Sequence, residues 1–333
     1  MRRGAFWLFL LVLAAALALA LAVGPYPLHL DDVLDTFARL TGHDAGAPTA
    51  GEIVFGRVRL PRVAAGLVVG AALSGAGAAY QTLFRNPLVS PDILGVATGA
   101  GLGAVVGILL SLPVAGIEAL AFAGGLVTVA LVYLIAAALR GHDRTLVLVL
   151  GGVVVGALAG ACISLVKIMA DPYDQLPAIT FWLLGSLAAI KFSDLAVAAP
   201  LVLAGLVPLV LYRWRIGVLS LGDDEARALG VDVTRLRGIV IAAATLLTAS
   251  VVAIAGVVGW IGLMIPHVAR MIVGPNFSRL LPASMLLGAA FMLVVDTVAR
   301  SLARVETPLG ILTAVLGAPF FLWLLARGRK SWG

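Results

Sequence analysis

Uncharged apolar stretches of about 16 to 25 residues recur along the whole chain, close to the roughly 20 residues that one helical crossing of a bilayer needs. They are too long, and too uniformly apolar, for the alternating strands of a β-barrel. Only 12% of the 333 residues are charged, against about 25% in soluble domains. The longest polar interval, residues 24–62, is too short and too poor in apolar side chains to bury a core of its own. The fold class is therefore an all-α polytopic membrane protein, a single transmembrane domain over residues 1–333.

Placing the spans gives about ten helices. The first is Ala5–Val23 behind Arg2 and Arg3; its Ala-rich end also resembles a signal cleavage site, and on either reading the two arginines keep the N-terminus in the cytoplasm. The following spans are expected over residues 63–84, 92–110, 114–139, 145–170, 194–212, 238–255, then, after a turn over 256–262, a span ending near 273, and over 280–300 and 308–326. Pro61 suits the first turn of the second span. Residues 24–62 then lie outside the membrane and residues 213–237 in the cytoplasm. Asp171–Pro177 is an outer stretch, and Phe181–Leu187 is too short to span and reads as an interfacial helix. Arg85, Arg140, Arg144, Arg213, Arg235 and Arg329 fall on the cytoplasmic side, as the positive-inside rule requires with both termini inside. The net charge of +6 is read by that position and not as a nucleic-acid signal. Small residues at four-residue spacing, Gly66/Gly70/Ser74, Gly95/Gly99/Gly103 and Gly152/Gly156/Gly160, predict close helix crossings.

The densest charge lies in one cytoplasmic stretch, Ser220–Arg237. Asp223, Asp224 and Glu225 open a short helix and complement its macrodipole; Gly230 is its stop. Leu221, Ala228 and Leu229 give it one apolar face. Such a helix between two spans reads either as a docking surface for a cytoplasmic partner or as a solvated loop.

Ionisable residues are nearly absent from span centres, where a self-powered transporter needs them. Asp296 and Arg300, spaced i,i+4, are expected to pair. His267 and the lone Cys162 read as packing residues. There is no GxxxxGK[ST] motif, no nucleophile–base pair and no metal-ligand spacing, so the chain offers no catalytic or metal residues. Energy for uphill transport must come from another subunit.

The chain resembles the FecCD-type membrane subunits of binding-protein-dependent ABC importers, which carry ferric siderophores, haem, cobalamin and some oxyanions. The resemblance runs from about Arg57 to Leu325. It rests on the order and spacing of Arg59-Leu-Pro-Arg62, Leu83-Phe-Arg-Asn-Pro-Leu88, Phe181-Trp-Leu-Leu-Gly-Ser-Leu187, Leu221-Gly-Asp-Asp-Glu-Ala-Arg-Ala-Leu-Gly230, Gly262-Leu-Met-Ile-Pro-His267, Asp296 with Arg300, and Pro308-Leu-Gly310 through Leu316-Gly-Ala-Pro-Phe320.

The resemblance implies a cobalamin-importer-like permease acting as a homodimer in a bacterial or archaeal cytoplasmic membrane. Two ATP-binding subunits below would hold the ATP and Mg, no cofactor being bound by this chain, and a substrate-binding protein would sit above. It implies ATPase coupling through Asp223, Asp224, Glu225, Ala226, Arg227 and Gly230. It implies binding-protein docking through Arg59, Arg62 and Arg300, and a cytoplasmic gate at Asn86, Leu88, Asp143, Arg144 and Thr145. A ferric siderophore or haem is the expected cargo, with cobalamin and molybdate or tungstate left open.

Overall fold

The computed structural model describes residues 3–41, 47–139, 144–303 and 305–328. Among them there is no strand, and fifteen α-helices follow in order. Helices α1 (Arg3–Ala22), α2 (Leu30–Leu40) and α3 (Ala50–Val54) lead into α4 (Leu60–Leu83), α5 (Val96–Leu109), α6 (Val114–Ala138) and α7 (Arg144–Met169). Then come α8 (Gln175–Leu184), α9 (Phe192–Leu211), α10 (Arg213–Leu219) and α11 (Asp223–Ala228), and finally α12 (Val233–Ala255), α13 (Ile261–Val273), α14 (Phe277–Ala299) and α15 (Leu309–Gly328).

Ten of these match the expected spans: α1, α4, α5, α6, α7, α9, α12, α13, α14 and α15. Six are long and apolar enough to cross a membrane unaided. The others are shorter; α13, with 13 residues, rises only about 20 Å of a roughly 30 Å hydrocarbon core. Irregular backbone at such depth must be satisfied by protein. That is seen where α8 ends: Ser186 donates its N–H to the Ala255 carbonyl (2.9 Å), and Leu309 donates to the Gly185 carbonyl (3.0 Å). Three chain breaks thus close on one another.

The core is built on α4, which packs against α14, α12 and α13. Of the most apolar stretch of α4, 78% is buried, against 17% for α7, which turns most of its surface outward. Two of the three small-residue runs are crossings. A side chain on Gly70 would overlap the Gly288 carbonyl of α14, and side chains on Gly99 and Gly103 would overlap α6. In the third run only Gly152 is so used, against Ile93; Gly160 faces open space on the outward side of α7.

Several boundaries differ from expectation. Helical structure begins at Ala50, not Val63, because α3 runs into α4 through a π turn, Phe55–Arg59. Pro61 has no N–H to give, and the wide turn, in which the Leu60 N–H reaches the Phe55 carbonyl, carries the chain past it. The third span is interrupted: a 3₁₀ turn, Pro91–Leu94, meets Gly95 at φ +77° before α5 begins, and Asp92 accepts the Ala97 N–H (2.7 Å). The interfacial helix is Gln175–Leu184 and not Phe181–Leu187, since Gly185 at φ +74° ends it. Residues 213–219, ahead of the polar stretch Ser220–Arg237, form a further helix that was not expected. This is α10, whose Ile216, Val218 and Leu219 are buried while Trp214 is exposed.

Candidate functional site

The expected functional residues gather at the two ends of the bundle. At the cytoplasmic end, α11 is bounded by two glycines. Gly222 has φ +135°, and Gly230, at φ +77°, closes the helix while the Val231 N–H reaches back to the Ala226 carbonyl (3.0 Å). Nothing stands within 4 Å of where a Gly230 side chain would be, so that glycine is demanded by its backbone angle alone.

The six expected coupling residues divide between two faces. Ala226 is fully buried, and Asp223 turns inward. Asp223 accepts from Arg237 of α12 at 3.0 Å, and has Arg85 at 3.6 Å and Arg227 at 4.0 Å. Arg237 is itself buried, and Arg85 sits at φ +51° in the turn after α4. One carboxylate therefore ties α11 to both α12 and the α4 turn. Asp224, Glu225 and Arg227 face outward, Asp224 with 96% of its side chain exposed. The expected apolar face of α11 does not pack on the bundle. Leu221 and Leu229 are 61% and 54% exposed and Ala228 is exposed beside them; the short helix has only Ala226 to seat.

The expected gate residues do not form one group. Asn86 accepts the Leu88 N–H (2.9 Å) and fixes the turn. Leu88 lies with Trp260, His267, Gly317 and Phe320 around a small apolar void. Thr145 instead lines a cavity of about 630 Å³ with Arg85, Asp223 and Arg237. Asp143 lies outside the described residues, and so does the side chain of Arg144, where α7 begins. Sequence reasoning missed Gln81, which is buried in α4. Its amide donates to the Leu263 carbonyl (3.0 Å) and the Val89 carbonyl (3.3 Å) and accepts from Arg270 (3.1 Å), binding the turn to α13. A lone glutamine inside an apolar span was the available signal.

At the outer end, Arg59, Arg62 and Arg300 come together, but turned inward: they are 3%, 6% and 8% exposed. Arg59 donates to the Leu21 and Tyr26 carbonyls (2.7 and 2.8 Å), and Arg300 donates to the Ala20 carbonyl. Two guanidinium groups thereby satisfy the end of α1, where carbonyls lack helical partners and the dipole favours a cation. Arg62 binds Asp296 through Nε (2.8 and 3.0 Å) and Glu306 through both terminal nitrogens (2.9 and 2.5 Å). The close partner of Asp296 is thus Arg62, 234 residues away, and the expected Arg300 contact is longer, 3.7 Å. The three arginines and Glu306 line a cavity of about 580 Å³ with Gly24, Tyr26 and Ser301. Glu306 had no signal in the sequence, since nothing local links it to Arg62.

Among the described residues no group of three or more His, Cys, Asp or Glu is placed to hold a metal. The FecCD transport family model matches residues 10–327. The chain belongs to this family. It is 43% identical over 286 residues to the cobalamin import system permease protein BtuC of Halobacterium salinarum, covering 86% of this chain and 76% of that one. It is also 43% identical over 277 residues to a probable iron chelatin transport system permease protein of Helicobacter pylori, covering 83% of each. A solved structure described as a metal-chelate type ABC transporter in an inward-facing conformation superposes with a TM-score of 0.87 at 37% identity, over 98% of this chain and 100% of the other. Membership makes this chain a multi-pass ABC importer permease; permeases of the family work with ATPase and binding-protein partners.

Proposed function

We propose that two copies of this chain form one pathway for a metal chelate, a ferric siderophore or haem, across the cytoplasmic membrane of a bacterium or archaeon. ATP and Mg are held by two ATP-binding subunits below, and a substrate-binding protein delivers cargo from above. The observation that carries this reading is the division of α11 into two faces. Asp224, Glu225, Leu221 and Leu229 are offered to the cytoplasm, while Asp223 and Ala226 fasten the helix to α12 and the α4 turn. An ATPase that moves α11 moves both of those elements. The outward surface of α7, with Gly160 open and Val153 and Leu158 exposed, supplies an apolar face for the second copy. The outer arginine cavity is the reading's site for carboxylates of the binding protein. There, charge pairing guides encounter and register more than affinity.

The cargo assignment follows the chelate relatives; cobalamin and molybdate or tungstate are the competing cargoes. Uptake in proteoliposomes tests it. The chain is reconstituted with the ATPase and binding protein encoded beside it and offered haem, a ferric siderophore, cobalamin and molybdate in parallel. Uptake of an iron chelate that requires both ATP and the binding protein is expected. Uptake of cobalamin or molybdate alone overturns the cargo, and uptake indifferent to ATP overturns the transport reading.

A further inference from the structure

Arg62 is held from two sides by unlike carboxylates. Asp296 on its inner side, in the last turn of α14, is fully buried and neutralises the guanidinium there. Glu306 on its outer side keeps 28% of its side chain exposed and sits on the non-helical segment between α14 and α15. Two carboxylates against Arg62 and Arg300 leave no charge on that group, and Arg59, whose donors go to carbonyls, adds one positive charge. With Glu306 in place, the described residues of this group carry one positive charge in excess. With Glu306 swung out, the group has two, and the outer nitrogen of Arg62 has no acceptor.

We propose that Glu306 is a displaceable internal carboxylate: it occupies the outer side of Arg62 in the free permease and gives way to a carboxylate of the docking binding protein. This rests on the docking reading above and adds its regulation. Asp296 keeps Arg62 paired throughout, so the exchange never leaves a buried arginine bare. The exchange also has a mechanical consequence. The Ser186 hydroxyl donates to Glu306 (3.4 Å), and α15 begins three residues after it, where Leu309 is bonded to Gly185. Displacing Glu306 frees the segment that holds the outer end of α15 against the end of α8. Docking outside is thereby turned into release of a membrane helix.

The test uses the full permease with its ATP-binding subunits in nanodiscs, titrated with its cognate substrate-binding protein. Glu306→Gln keeps the side chain's size and removes the competing charge. If the latch is closed in nine molecules of ten, its removal tightens binding about tenfold, because only the open fraction is competent. Unchanged or weaker binding overturns the proposal, and weaker binding is what a purely structural ion pair predicts. Neutralising the acidic side chains on the binding protein tests docking separately. If that abolishes binding while Glu306→Gln changes nothing, arginine docking stands and the exchange falls; if neutralisation has no effect, both fall. Should Glu306→Gln fail to fold, a nitroxide at Ala303→Cys, in a Cys162→Ser background, reads the same event. Its mobility must rise when the binding protein is added, and an unchanged spectrum overturns the exchange.

Discussion

Asp223 and Arg237 meet at 3.0 Å, and they join α11 to α12. Arg237 is 7% exposed, so removal of the acid strands a nearly buried cation, while Asp223 itself is about one-third exposed and partly solvated. Asp223→Asn is expected to cost about 2 kcal/mol, the value of a charge-assisted hydrogen bond discounted for solvent. It should leave the ATPase bound but lower transport per ATP hydrolysed, with Asp223→Glu restoring part of the ratio. Lysine at both Asp224 and Glu225 should do the opposite: full thermal stability with no ATPase in the co-purified complex. The two faces of α11 are assigned wrongly if Asp223→Asn releases the ATPase and the double lysine variant retains it.

The crossing of α4 and α14 depends on Gly70 and Gly288: a side chain on Gly70 would overlap the Gly288 carbonyl and Met292, and one on Gly288 would overlap the Ser74 hydroxyl and the Gly70 carbonyl. Gly70→Ala must push the helices apart at the most buried span of the molecule, at a cost of about 1–3 kcal/mol or more for an overpacked site. Gly160→Ala meets nothing within 4 Å and should leave the monomer's stability unchanged. Detergent melting of the two variants checks this, and equal melting temperatures would refute the packing argument.

Hydropathy made the spans legible because each crossing is a local property of about 20 consecutive residues. Helix α11 was legible for a similar reason: its acids, its stop at Gly230 and its position between two spans all lie within one short segment. What joins that helix to the bundle was not. Arg85 and Arg237 contact Asp223 across 138 and 14 residues, and the sequence offers no periodicity that connects them. Leu221 and Leu229 were legible as one apolar face of a short helix, but their exposure was not, because it depends on how α11 is seated against α12 and the α4 turn. The outer arginines were found as residues but not as a geometry. Their inward turn follows from the carbonyls at the end of α1 and from Asp296 and Glu306, all distant in sequence. The π turn before Pro61 was likewise hidden, since a proline reads as a helix start unless a wider turn carries the helix through it.

Outside the membrane, α2 is fastened at its start by Asp32. One carboxylate oxygen accepts the His29 N–H (2.9 Å) and the other the Thr49 hydroxyl (2.9 Å), clasping α2 to the segment before α3. The His29 N–H first, and the Thr49 hydroxyl second, hold the Asp32 carboxyl below its ordinary value. A depressed carboxylate stabilises the fold fully above its unfolded pKa, and that contribution is lost as pH falls through the folded value. The clasp is therefore intact at neutral pH and opens in the acid range, below about pH 4. Hydrogen exchange over residues 30–41, corrected for intrinsic rates, should show protection falling below that pH. Asp32→Asn should lower protection at neutral pH and remove the acid dependence. An acid dependence that survives in Asp32→Asn would show that another group titrates and that Asp32 does not hold α2 in place.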